Sequence, residues 1–122
     1  MIINGVERRF FMGVSAAMKI ADCCPGGDIA KLNALFDGRI TRDMLNVLAV
    51  SAVAMNEDYI AVKGLKADPL KRAEVLLIPP GEMLNGLLDE VIAAYRTGMA
   101  TTVSAEPAKD PKNAEGAAEG NP

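Results

Sequence analysis

MLNVLAVSAVAM, residues 44–55, is an almost uninterrupted apolar run in an acidic chain. Only Asn46 and Ser51 interrupt it. If the run is a helix with 3.6 residues per turn, one face carries Met44, Leu48, Ser51, Ala52, Met55 and, beyond the run, Tyr59. The other sides, which include Val47, Val50 and Ala54, carry no charge either. A helix that is apolar all round is found in a membrane, in the centre of a core or against another protein chain.

The run is too short to be a membrane span. A span needs about 20 predominantly apolar residues, whereas charged residues stand at 42–43 and at 57–58. A signal peptide is not expected either, because Glu7, Arg8 and Arg9 stand where its apolar segment would begin. We therefore expect a cytoplasmic protein with no membrane partner.

Length and charge narrow the possible partners. The chain has 122 residues and a formal net charge of −3, which fits one small domain and argues against a nucleic-acid partner. A domain of roughly 100 residues buries about two thirds of its unfolded surface. Because so small a core covers an all-round apolar helix poorly, self-association is expected.

No catalytic, cofactor-binding or metal site is predicted, and we expect neither an enzyme nor a small-molecule substrate. The chain has no His, and its two cysteines, Cys23 and Cys24, are adjacent and lack zinc-site spacing. They are interpreted as small buried hydrophobes at a helix end, with a redox role as the alternative. The turn at residues 25–28 is not a phosphate loop, because Asp28 would repel an anion. Asp89 and Glu90 diverge by roughly 100° on a helix, too far to share acid and base work.

The order of local signals predicts a mainly α domain over residues 1–100. Asn4-Gly5 between strand formers is typical of a short N-terminal β-hairpin, which should pack against helices through Ile3, Phe10 or Phe11. About five helices follow. They are expected over residues 14–24, over 29–36 with an Asp28 cap, from a Thr41 cap to Gly64, from Asp68-Pro69 for about two turns, and from residue 80 with an amphipathic pattern over 83–95. Residues 101–122 contain scarcely any bulky apolar side chains and are predicted to be a tail or linker, disordered from about Ser104.

Several features of the chain belong together: the MIING hairpin, the helix end IADCCPGGD at residues 20–28, Leu32 and Leu35, the Pro69-Leu70 helix start and the low-complexity tail. In these features the chain resembles a tail assembly chaperone of long-tailed (siphovirus-type) bacteriophages and prophages. The resemblance implies a protein without catalysis that binds the tape measure protein and keeps it soluble in the host bacterial cytoplasm. It further implies recruitment of tail tube subunits, absence from the mature virion, and in many such phages a longer frameshifted form.

The apolar helix suggests where such a protein would meet its partners. We expect a self-association or client surface formed by parts of Met44, Val47, Val50, Val53, Ala54 and Met83. The alternative is a small self-associating helical adaptor or regulatory protein, and one form of this alternative binds DNA through residues 28–48 like a helix-turn-helix. That segment has few basic residues for a DNA-recognition helix, which argues against DNA binding.

Overall fold

The computed structural model of the protein describes residues 1–100, which form a two-stranded hairpin followed by five helices. The elements are β1 (Ile2–Ile3), β2 (Val6–Glu7), α1 (Val14–Ala21), α2 (Leu32–Leu35), α3 (Arg42–Lys63), α4 (Arg72–Val75) and the last helix, α5. Helix α5 has an α-helical turn over Pro80–Glu82, a π-helical turn over Met83–Leu87 and an α-helical part over Leu88–Met99. The predicted fold class is confirmed. The predicted disordered tail lies outside the described residues.

The hairpin turn has the geometry that its sequence predicts. Asn4 and Gly5 both have positive φ, 52° and 77°, as a type I′ turn requires. Ile3 pairs with Val6 across the turn, and its side chain is buried against the helices. The hairpin is thus held by the apolar contact expected for it.

The amino group of Met1 ties the hairpin to α5. It lies 2.7 Å from Glu7 Oε2 and 3.3 Å from Glu90 Oε2, and it donates to the Arg8 carbonyl at 3.0 Å. Burial lowers the pKa of this amino group, but its hydrogen bonds to Glu7 and Glu90 outweigh burial, and the pKa is raised above 8.0.

Helix α3 begins and ends at the predicted residues. Thr41 Oγ1 accepts a hydrogen bond from the Met44 N–H at 3.1 Å, and Gly64 closes the helix with a φ of 64°. Helices α1, α2, α4 and α5 all contact it. Its nine buried residues are Met44, Val47, Leu48, Ala49, Ser51, Ala52, Ala54, Met55 and Asn56. The fold itself therefore covers most of the apolar run.

The length of α3 bears on the membrane prediction. Among residues 1–100 it is the one helix that is long and apolar enough to cross a membrane by length and composition alone. The helix continues past the charges that flank the apolar run and reaches 22 residues, so length by itself does not exclude a span. The packing of α1, α2, α4 and α5 around it is that of a core helix. The cytoplasmic localisation stays a prediction.

Asp58 of α3 fixes the start of α1. Its Oδ2 accepts hydrogen bonds from the N–H groups of Gly13 and Ala16, each at 2.9 Å. Gly13 is the N-cap residue of α1 and has no side chain to serve as a cap, so the cap comes from the neighbouring helix instead. This bond pair sets the position of α1 along α3.

Helix α4 begins later than the sequence predicts. Asp68-Pro69 was expected to start it, but the first helical residue is Arg72. The buried Arg8 donates from Nη1 to the Asp68 carbonyl at 2.7 Å, and Asn56 Oδ1 accepts from the Leu70 N–H at 2.8 Å. Because these contacts engage the backbone of residues 68–70, the helix starts only beyond them.

The first two predicted helices are shorter than expected. Helix α1 ends at Ala21, because the N–H groups of Cys23 and Cys24 bond to carbonyls three residues back. The predicted second helix divides into a 3₁₀ turn over Ile29–Lys31 and the single turn of α2, with Asp28 accepting from the Ala30 N–H as expected. The cysteines are free thiols just beyond the end of α1, and Cys24 is buried as predicted whereas Cys23 is half-buried. Burial raises the pKa of the Cys24 thiol.

Candidate protein-interaction groove along helix α3

The structure separates the six predicted interaction residues into two groups. Met44, Val47 and Met83 are 1%, 2% and 4% exposed and belong to the core of the chain, so they are not on its surface. The reason is that α3 is enclosed by other helices on most sides, which the sequence of α3 does not reveal. Val50 and Val53 are half-buried and reach the surface. Ala54 is 2% exposed but lines the floor of a cavity next to them.

This cavity runs between α1 and α4 over the outer side of α3. Its volume is about 260 Å³, slightly below the range of roughly 300–1,000 Å³ that is typical of ligand pockets. Its floor is apolar and small, formed by Ala49, Val50, Val53 and Ala54. Lys19 of α1 and Arg72 of α4 form opposite walls.

 It is an open groove with an apolar floor, not an enclosed ligand site.

A second cavity continues the groove towards the start of α3. It has a volume of about 570 Å³, and Arg72 lines both cavities. The Arg72 Nη2 donates to Asn46 Oδ1 at 2.7 Å, so this side chain lies across the junction. The apolar lining of the second cavity comes from Ile40, Leu45 and Leu76. We call the two cavities together the α3 groove.

The α3 groove offers apolar contacts bordered by charges of both signs. Ile40 and Leu76 are 53% and 54% exposed at one end. At the other end Lys19 Nζ lies 3.0 Å from Glu57 Oε1, and both side chains are well exposed. Such an exposed pair contributes less than about 1 kcal/mol and can be exchanged for contacts with a partner. The groove therefore suits a protein segment with apolar side chains flanked by polar ones.

The charged side chains of the groove are paired or lie at its border. Among residues 1–100, no group of three or more Cys, Asp or Glu side chains could hold a metal ion. In the first cavity Lys19 pairs with Glu57, and Arg72 donates to Asn46. Arg42 and Asp43 border the second cavity. Binding is the chemistry that these residues support.

Sequence reasoning found the floor of the groove but missed its walls. Asn46, Val50, Val53 and Glu57 follow one another at spacings of four, three and four residues on α3, so a helical row could have been read from the pattern. The contributions of Lys19, Arg72 and Leu76 come from other helices. No spacing in the sequence identifies them.

Comparisons of the chain with models of protein families, with curated proteins and with solved structures give no match. Support for a function therefore comes from the residues themselves and from the α3 groove.

Proposed function

We propose that the protein is a tail assembly chaperone of a siphovirus-type phage or prophage, which binds an apolar helical segment of the tape measure protein in the α3 groove. It keeps this client soluble in the bacterial cytoplasm and helps to recruit tail tube subunits, without catalysis. The observation that carries the proposal is the open apolar groove on a helix of a small helical protein. The resemblance of the hairpin, the residue 20–28 helix end and the Pro69-Leu70 segment to such chaperones names the client.

The floor of the groove fits a helix better than an extended peptide. Its small side chains, Ala49 and Ala54, let a partner backbone come close, while Val50 and Val53 provide apolar contact. An amphipathic helix presents apolar side chains at i, i+3, i+4 and i+7, a stripe that can lie along such a floor. An extended strand would need an unpaired sheet edge, and none borders this groove among the described residues.

The groove is also held in place before any partner binds. Asp58 bonds α1 to α3 through two backbone N–H groups, and Arg72 bonds α4 to Asn46. A surface that is already ordered loses less entropy when it binds. Most of the entropy lost on binding would therefore be lost by the client segment when it becomes ordered.

Co-expression with candidate tape measure proteins tests the proposal. The wild-type chain should raise the soluble fraction of the client, and Val50→Asp should abolish that gain because it places a charge on the apolar floor. Val14→Asp is the matched control, since Val14 is 77% exposed and lies outside the groove. Circular dichroism should show that both variants keep the wild-type helix content.

Two results would count against the proposal. If folded Val50→Asp solubilises the client as well as the wild type does, the α3 groove is not the binding surface. If the wild-type chain improves the solubility of none of several tape measure proteins, the chaperone function fails.

The adaptor or regulatory alternative stays a prediction. Its helix-turn-helix form would use α2 and α3, of which α2 is a single turn and α3 has nine buried residues. A retarded band with random duplex DNA at low salt would favour it, and its absence would favour the chaperone.

A further inference from the structure

A basic aromatic groove lies away from the α3 groove. Its volume is about 700 Å³, and its lining includes Arg9, Phe10, Phe11, Tyr59 and Lys63. Three of the five aromatic side chains of the whole chain are thus in one place. Lys63 Nζ lies 5.9 Å from the centroid of the Tyr59 ring, within the range of a cation–π contact.

The positive charge of this groove is not neutralised from within. Its lining contains one carboxylate, Glu90, and that group lies 3.3 Å from the Met1 amino group. Arg9 and Lys63 are exposed and form no salt bridge with another described residue. Aromatic and Arg side chains are the types that contribute most at protein interfaces. The basic groove therefore favours a partner that brings an apolar side chain together with a carboxylate.

The same chain carries a surface of that chemistry, which we call the acidic knob. It consists of Ile2, Leu77, Pro79 and Glu82 around a cavity of about 350 Å³. Leu77 is 84% exposed, the highest value among the large apolar side chains of residues 1–100, and Ile2 is 68% exposed. Glu82 is exposed and makes no side-chain hydrogen bond or salt bridge to another described residue. The knob thus has well exposed apolar side chains beside an exposed carboxylate.

We propose that the basic groove of one copy of this protein binds the acidic knob of a second copy. Leu77 would contact the aromatic side chains of the groove, and Glu82 would pair with Lys63 or Arg9. The two surfaces share no lining residue, so the contact joins different faces of the two copies, as a heterologous interface does. The proposal does not depend on the chaperone function, since neither surface overlaps the α3 groove.

Charge reversal tests this contact by sedimentation velocity of the full chain. The wild type should associate increasingly with protein concentration, and NaCl should weaken the association because exposed charges are screened. Lys63→Glu and Glu82→Lys should each raise the dissociation constant about tenfold, since each replaces an attraction with a repulsion. The double variant should recover most of the wild-type affinity.

Mixing the two single variants gives the sharpest result. The acidic groove of Lys63→Glu should bind the basic knob of Glu82→Lys, so an equimolar mixture should associate more strongly than either variant alone. Lys31→Glu and Asp89→Lys are matched controls, because both positions are exposed and outside the two surfaces. They should sediment as the wild type does.

Three outcomes would overturn the proposal. They are a wild type that stays monomeric at every concentration at low salt, single variants that associate like the wild type, and a mixture that does not recover association. In the last case groove would face groove or knob would face knob, and the surfaces would not be complementary partners.

Discussion

Removing the Asp58 carboxylate should weaken the protein as a whole and loosen the α1 wall of the α3 groove. In Asp58→Ala the N–H groups of Gly13 and Ala16 lose their acceptor, which lies 2.9 Å from each. Loss of an N-cap costs about 1 kcal/mol, and hydrogen bonds to a charged group contribute about 1.5–3 kcal/mol each when buried. Because Asp58 is only half-buried, water can replace part of these hydrogen bonds in the variant, and we expect the free energy of unfolding to fall by about 2 kcal/mol.

Urea unfolding followed by circular dichroism measures this loss. A change of about 2 kcal/mol in a domain of roughly 100 residues lowers Tm by about 10 °C. Asp58→Asn keeps an acceptor oxygen without the charge and should lose roughly half as much. Asp43→Ala is the control, since Asp43 also lies on α3 but is exposed. It should cost about 0.5 kcal/mol through the helix dipole.

A double-mutant cycle with Gly13 makes the test specific. A Cβ added at Gly13 would lie 2.9 Å from Asp58 Oδ2, so Gly13→Ala should destabilise the wild type. In the Asp58→Ala background that clash is absent, and most of the cost should disappear. If Asp58→Ala unfolds within about 0.5 kcal/mol of the wild type, or if the two substitutions are additive, the cap does not hold α1 in place.

Three further predictions concern pH, thiol reactivity and a buried amide. The folded state raises the pKa of the Met1 amino group above 8.0, so the contribution of this group to stability is complete below pH 8.0 and is lost as the pH rises through the raised pKa. Urea unfolding at increasing pH should show this loss. A protein with an acetylated amino terminus should not show it. Burial raises the pKa of Cys24, so its thiol should react with iodoacetamide much more slowly in the folded protein than in urea, as mass spectrometry can measure. Asn56→Ala should lower the free energy of unfolding by about 2 kcal/mol, because it leaves a buried backbone N–H without its acceptor.

The two proposed contacts use different surfaces of the protein. The α3 groove would hold the client, while the basic groove and the acidic knob would join copies of the chain. A variant such as Val50→Asp should therefore lose client solubilisation and keep self-association. Lys63→Glu should lose self-association first, which separates the two activities in one set of proteins.

The sequence and the structure suggest different surfaces for self-association. The sequence predicted it on α3, because a small core was expected to leave the apolar run uncovered. The fold instead covers α3 with α1, α2, α4 and α5, and Val47 and Ala54 are 2% exposed. The large apolar side chains that remain exposed include Leu77 and Ile2, which no periodic pattern marks.

The sequence by itself determined the features that depend on neighbouring residues. The Asn4-Gly5 turn, the Thr41 and Gly64 ends of α3 and the amphipathic pattern of α5 follow from positive φ, from capping and from helical spacing. These are short-range interactions, and they act in the same way wherever the segment lies.

Only the tertiary structure decided which side of α3 faces water. An apolar run without a polar face gives no preference for any side, so the choice depends on where other helices pack. Asp58 fixes α1 on one side, and Arg8 and Asn56 fix the segment that leads to α4 on the other. All three contacts join residues far apart in the chain, and the strip with Val50 and Val53 is left open because neither α1 nor α4 reaches across it.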